Sequence, residues 1–301
     1  MRRTPLQGGL PPSGPVAGPV LEIACDESGF SGTNLLRSDA PVITHASVDL
    51  TVDEAATLIA SLRLPPHELK SGPFLRRAGD PLPALLTALR GRAHVHLIDK
   101  RYFVATRIVD LLLTAPTYAA GTSLTPQHRA VALALLRGGD QFLDAFVDLV
   151  RPKRRPPLDV ALARLFRLRD SLARAELDGL DPAHVRSIVT RLDNDDRSIP
   201  PPLEPLLPAL AETVLFWSRG TRPIHVVHDE QSALTADRLT RLQQVLHSAG
   251  RPLLTGLTMV DSRDDPRVQL ADLLAGIARR RPESVTALSS TTSPAVDLAP
   301  R

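Results

Sequence analysis

The chain has 301 residues, 43% apolar and 23% charged, with a formal net charge of +3. That length supports a substantial core in one large domain or a domain with an insert, and the composition is ordinary for a globular protein. No apolar run approaches the ~18 residues of a membrane span, and the opening Met1-Arg2-Arg3, followed by Pro and Gly, lacks a signal-peptide core. A cytoplasmic protein with no membrane partner is therefore expected. The one cysteine, Cys25, excludes an internal disulfide and a Cys-rich zinc site.

Residues 1–18 are rich in Gly and Pro without periodicity and read as a flexible N-terminal segment. A single α/β domain is expected over 19–281. Leu21–Cys25 is a short strand stopped by Asp26-Glu27-Ser28-Gly29, a turn-forming composition. The β-branched stretch 41–50 is a second strand. Thr51 then caps a helix reaching about Arg63, with Glu54 completing a capping box. Pro65-Pro66 ends it, and 67–72 is a polar connector. A helix near 82–90 leads to a strand at 93–98, which runs into Asp99-Lys100. Apolar spacing of three and four then predicts helices near 101–114, 125–150, 158–176, 182–192 and 203–218, a mainly helical insert over about 115–220. A strand at 223–228 meets Asp229-Glu230. A helix near 234–247, a strand at 253–260 and a last helix over 267–281 follow, and 282–301, dominated by Ser, Thr and Pro, reads as a disordered tail. Strands alternating with helices define an α/β fold.

The acids carry the chemistry. Asp26, Asp99 and Asp229 each follow a predicted strand, where a carboxylate faces the crevice at a sheet's carboxyl edge. Glu27 points to the opposite side if strand geometry persists, so Asp26 is the better ligand of the pair. Ser28 has no Gly-x-Ser-x-Gly context and is not read as a nucleophile. Asp272 lies in Gln269-Leu-Ala-Asp-Leu-Leu-Ala-Gly276, where Leu270, Leu273, Leu274 and Ile277 form an apolar stripe. Asp272 and Gln269 border that stripe, and Ala271, Ala275 and Gly276 allow close approach of another element. A carboxylate so placed is desolvated unless a cation or donor compensates it. Such acids suit Mg²⁺ or Mn²⁺, which prefer oxygen ligands and can clamp the attacking and leaving oxygens of a phosphodiester. Each acid also has a plainer reading as turn, salt-bridge or surface residue. His96 and His228 sit beside the strand-end acids as possible ligands or shuttles, or as plain surface.

Charge is distributed unevenly. Residues 151–191 carry ten Lys/Arg against five Asp/Glu, so this stretch is +5 and the rest of the chain −2. Arg164, Arg167 and Arg174 on this segment are expected to grip a polyanion by its phosphates, although an Arg-rich composition alone could produce the excess. Lysine occurs only at 70, 100 and 153. Lys70 and Lys100, compact charges near predicted acids, are candidates to neutralise phosphate.

In this order, the strand with Asp-Glu-Ser-Gly, then Glu68-Leu-Lys70, Ile98-Asp-Lys100, Val227-His-Asp-Glu230 and the final Gln-Leu-Ala-Asp-Leu-Leu-Ala-Gly helix resemble the bacterial domain-of-unknown-function family 3800. The run Tyr102–Asp110 shares the resemblance, which spans about 20–281. It implies a ribonuclease H-like fold, with a mixed central sheet and a carboxylate cluster for divalent metals. On that basis Asp26, Asp229 and Asp272 are the core of the cluster, Glu68 and Asp99 further ligands, and Glu27, Ser28, Glu230 and Gln269 supporting residues. The expected function is a Mg²⁺- or Mn²⁺-dependent nuclease acting on DNA or RNA, with oligomeric state left open. The alternatives are a non-catalytic nucleic-acid- or protein-binding module and a small-molecule phosphohydrolase.

Overall fold

The computed structural model describes residues 9–11, 18–30, 32, 35–37, 40–62, 69–77, 81–118, 126–248 and 251–291. The chain divides into two compact units, one comprising Met1–Phe30, Val42–Leu97 and Leu206–Thr291, the other Ser31–Pro41, Ile98–Pro205 and Thr292–Arg301.

The first unit is an α/β layer structure. Its strands are Leu21–Ser28 (β1), Val42–Val48 (β2), Ala93–Asp99 (β3, whose last two residues are counted with the second unit), Ile224–Asp229 (β4), Leu254–Val260 (β7) and Ser289–Thr291 (β8), in the spatial order β7-β4-β1-β2-β3-β8. His247–Ser248 (β5) and Arg251–Pro252 (β6) form a separate antiparallel pair. The main sheet is mixed: β1 runs antiparallel to β2 and parallel to β4, β4 is parallel to β7, and β3 is parallel to β8.

Strand alternation divides the sheet into two chemically different faces. Ala24, Ala46, Val48, Val95, Leu97 and Val227 enter a buried cluster with helix residues Ala55, Phe74, Leu85, Leu89, Leu270, Leu273 and Leu274. Those helix residues come from Val52–Ser61 (α1), Ser71–Leu75 (α2), Leu82–Ala88 (α3) with its C-cap Leu89, and Pro266–Arg280 (α11). Removing each such large side chain from water contributes about 1.5–3 kcal/mol. The alternate positions His45, Ser47, His94, His96 and His228 are buried on the other face. Helix Leu206–Ser218 (α9) covers part of it: Thr213 contacts His45, Trp217 Nε1 donates to Ser47 Oγ (2.8 Å), and Phe216 stacks on His94 at 3.7 Å between centroids. Ala236–Val245 (α10) packs beside α9.

The second unit is helical. Lys100–Ile108 (α4) is buried at every residue but Arg101 and continues into a π-helical turn, Val109–Leu113. Pro126–Leu136 (α5), Asp140–Leu149 (α6), Leu158–Leu172 (α7) and Pro182–Asp193 (α8) complete it. Inside lies an ion pair between Arg107 and Asp110, both almost solvent-free. Burial pushes the Asp110 carboxyl up to about 6 despite its cationic neighbour.

Several expectations change. Asp26, Glu27 and Ser28 are strand residues paired with Ala46, His45 and Thr44, so the turn begins only at Gly29. Gly29 has φ +92°, and a Cβ there would meet Val42 O at 2.8 Å, which explains a glycine at that point. The single helix expected over 125–150 breaks into α5 and α6, with Gly138 at φ +79° in the break. The long segment of the second unit runs over Ile98–Pro205, where an insert over about 115–220 was expected, and α9 belongs with the sheet. From 282, where a tail was expected, Pro282–Leu288 forms a 3-10 helix and β8 joins the sheet; 292–301 lie outside the described residues. Within the expected N-terminal segment, residues 1–8 and 12–17 lie outside the described residues, whereas Leu10 is buried and exchanges two 2.8 Å backbone hydrogen bonds with Leu257. No helix among the described residues is long and apolar enough to cross a membrane.

Candidate functional site

The register of β1 with β4 pairs Cys25 with His228, and its next step sets Asp26 beside Asp229. Both side chains share the face of Ala24 and Val227, which is the face α11 covers. Asp265 caps the start of α11 by accepting from Arg267 N (2.9 Å), and Pro266 opens the helix. Two turns further on, Asp272 stands among Ala271, Leu273 and Leu274, with its side chain 23% exposed.

The three carboxylates share one electrostatic environment. Asp26 is only 5% exposed and its carboxyl is pushed up to about 9, first by burial and then by the charges of Glu27, Asp229 and Asp272. The 2.7 Å hydrogen bond from Glu27 N to Asp26 Oδ1 opposes that shift without reversing it. Burial also raises Asp229, although Ser262 N donates to its Oδ1 at 3.0 Å. Lys70 answers this negative field. Its Nζ lies 2.5 Å from Asp272 Oδ2, and its pKa is raised by that bond and, more weakly, by the charges of Asp26 and Asp229.

Glu27, as the strand alternation requires, belongs to the opposite face. Its Oε1 accepts from Gln231 Nε2 at 2.6 Å, while its buried Oε2 has no hydrogen-bond partner and lies 4.0 Å from His228 Nε2. His228 donates from Nδ1 to Asp229 O (2.9 Å), and its Nε2 is 3.2 Å from His45 Nε2. Burial holds His45 well below the usual histidine range. His228 thus secures the backbone at Asp229 from behind the sheet. Nothing in the sequence linked His45, Thr213 and Gln231 to the acids, because they come from separate elements of ordinary composition.

The remaining expected residues fall elsewhere. Glu68 lies outside the described residues. Asp99 belongs to the helical unit, where its carboxylate caps α4 by accepting from Tyr102 N at 2.8 Å. A helix cap is a sufficient structural occupation for this acid. Lys100, in the same unit, is 2% exposed, and its N–H donates to Pro41 O. Ser28 O accepts a 3.4 Å bond from Thr44 Oγ1, Gln269 Nε2 donates to Arg263 O at 3.3 Å, and the Glu230 charge acts on Arg263. Of the expected phosphate grips, Arg164 donates to Asp148 Oδ2 (2.7 Å), Arg167 to Ala163 O (3.3 Å) and Arg174 to Arg137 O. Each of these guanidinium groups already has a partner within its own unit. His96 shares Ser290 Oγ with His94 and is buried rather than exposed at a strand end.

Asp26, Asp229 and Asp272 offer hard oxygen donors around a field that favours a cation, so their chemistry fits Mg²⁺ or Mn²⁺. No group of three or more His, Cys, Asp or Glu side chains among the described residues is spaced to hold a metal. Compared with family models, with curated proteins and with solved structures, the chain matches none.

Proposed function

We propose that the protein is a divalent-metal-dependent nuclease with a ribonuclease H-like sheet, related to domain-of-unknown-function family 3800. The observation that carries this reading is the convergence of Asp26 and Asp229, on neighbouring parallel strands, with Asp272 on the helix covering the same face. Burial and mutual repulsion hold a proton on Asp26 near neutral pH, and a cation entering the cluster would release it. Mg²⁺ or Mn²⁺ bound there would supply Lewis-acid activation of water and neutralise phosphoryl oxygens. Asp26, Asp229 and Asp272 hold and orient, and Lys70 offers an exposed ammonium to the substrate phosphate. His228 keeps the end of β4 in register from the opposite face.

One observation favours the binding-module alternative: the Lys70 ammonium already satisfies Asp272 with an ion pair. Labelled single- and double-stranded DNA and RNA incubated with Mn²⁺, Mg²⁺ or EDTA separate the two readings. Metal-dependent cutting that disappears in Asp26→Asn and Asp272→Asn is the expected result. A folded wild-type protein that cuts none of the four substrates would overturn the nuclease reading.

A further inference from the structure

Lys70 is anchored by backbone placement rather than by burial, since 70% of its side chain is exposed. The anchor is Ser71. Gly276 follows Asp272 by one helical turn on α11, and a Cβ built on it would lie 2.3 Å from Ser71 Oγ and 2.7 Å from Ser71 Cβ. Only a glycine lets the start of α2 rest this closely on α11. One turn further, Arg280 Nε donates to the same Ser71 Oγ at 3.3 Å. Asp272, Gly276 and Arg280, four residues apart, thus form one ridge that receives Lys70 and Ser71 side by side.

Resting on the carboxylate cluster as the cation site, we propose that the Lys70 ammonium is its resident counter-cation, seated by the Ser71–Gly276 contact, and that a divalent cation enters by displacing it. An ammonium brings one charge and reaches one oxygen of Asp272, whereas Mg²⁺ or Mn²⁺ brings two charges and several coordination positions. The flexible four-carbon stem of lysine allows the displaced amine to swing towards solvent without moving the backbone at Ser71. A polyanion at the site gives that amine a new partner, so metal and phosphate each make room for the other. Their binding is therefore mutually reinforcing, and metal affinity alone understates the affinity of the loaded complex.

The test is calorimetric titration of Mn²⁺ into the full chain, comparing wild type with Lys70→Met and Gly276→Ala, each checked for folding by circular dichroism. Removing the competing ammonium is expected to tighten Mn²⁺ binding about fivefold, the upper range for an exposed ion pair. Gly276→Ala, which keeps the lysine but pushes Ser71 away, should tighten it in the same direction. Lys70→Met alone decides the matter if Gly276→Ala does not fold. Unchanged or weaker Mn²⁺ binding by folded Lys70→Met overturns the exchange, as does binding by neither wild type nor that variant. A wild type that binds Mn²⁺ without cutting nucleic acid defeats the nuclease reading and leaves the exchange standing.

Discussion

Asp26 illustrates how one side chain can be held against its own preference. Its carboxyl, raised from 3.8 to about 9, binds more protons in the folded chain than in the unfolded one throughout that interval. The sign follows directly: in EDTA, folding stability falls as pH rises from about 4 to 9 on account of this group. Asp26→Asn removes the charge and keeps the shape, so it should stabilise the metal-free protein at pH 8 by at least about 1 kcal/mol. Thermal unfolding with EDTA measures this, and a destabilised Asn variant contradicts the account. Adding Mn²⁺ should raise the wild-type midpoint and leave that of Asp26→Asn nearly unmoved. The special character of Asp26 was legible as an acid after an apolar run. Its burial was not, because the sequence suggests a turn at Asp26-Glu27-Ser28 while pairing with Ala46, His45 and Thr44 extends the strand through all three.

Among the elements, β8 shows what periodicity misses. Three residues, Ser289–Thr291, are too short for a pattern and look like the start of a polar tail, yet they close the edge of the sheet beside β3. Ser290 makes this possible by meeting His94 Nε2 at 2.8 Å and His96 Nδ1 at 3.0 Å. Burial depresses His94 to about 3 and His96 to about 4, against 6.5 for the free side chain. Between those values the unfolded chain takes up protons that the folded chain refuses, so stability drops as pH falls from about 6.5 to 4. A His94→Asn, His96→Asn variant should show a flatter decline of melting temperature over that range; a decline as steep as wild type would place the acid sensitivity elsewhere. The longer elements were readable because they obey simple rules. The capping box of Thr51 and Glu54 closes with bonds of 2.7 and 3.2 Å, and the apolar stripe of α11 is buried as its spacing demands. The split between α5 and α6 and the short α2 were not: the first turns on the positive φ of Gly138 and on Gly139 lying against the carbonyl of Leu135, and α2 begins at Ser71, whose contact with Gly276 is distant in sequence.

For the molecule as a whole, the distribution of charge bears on the choice of ligand. The excess of positive charge over 151–191 is partly consumed at home, by Arg155 with Asp193, Arg164 with Asp148 and Arg186 with Asp159. Arg167 and Arg174 donate to backbone oxygens and not to carboxylates, so no carboxylate partner offsets their charge in these bonds. Binding to a nucleic acid should weaken as salt rises from about 50 to 200 mM, and Arg167→Ala should lower the logarithmic slope by about one if that residue touches a phosphate. A slope identical to wild type removes Arg167 from the interface. A different consequence follows from α11. In chain order it lies between β7 and β8, the two edge strands of the sheet, and it packs on β1 and β2 in the middle. Asp272 rides on this last long crossover, while Asp26 belongs to the first strand. During vectorial synthesis the ribosome therefore completes the sheet's first three strands, the helical segment 98–205 and the strands β4 and β7 before it supplies the third acid. Any chain interrupted before α11 lacks one carboxylate of the cluster, so on the proposed nuclease reading it would carry an incomplete cation site.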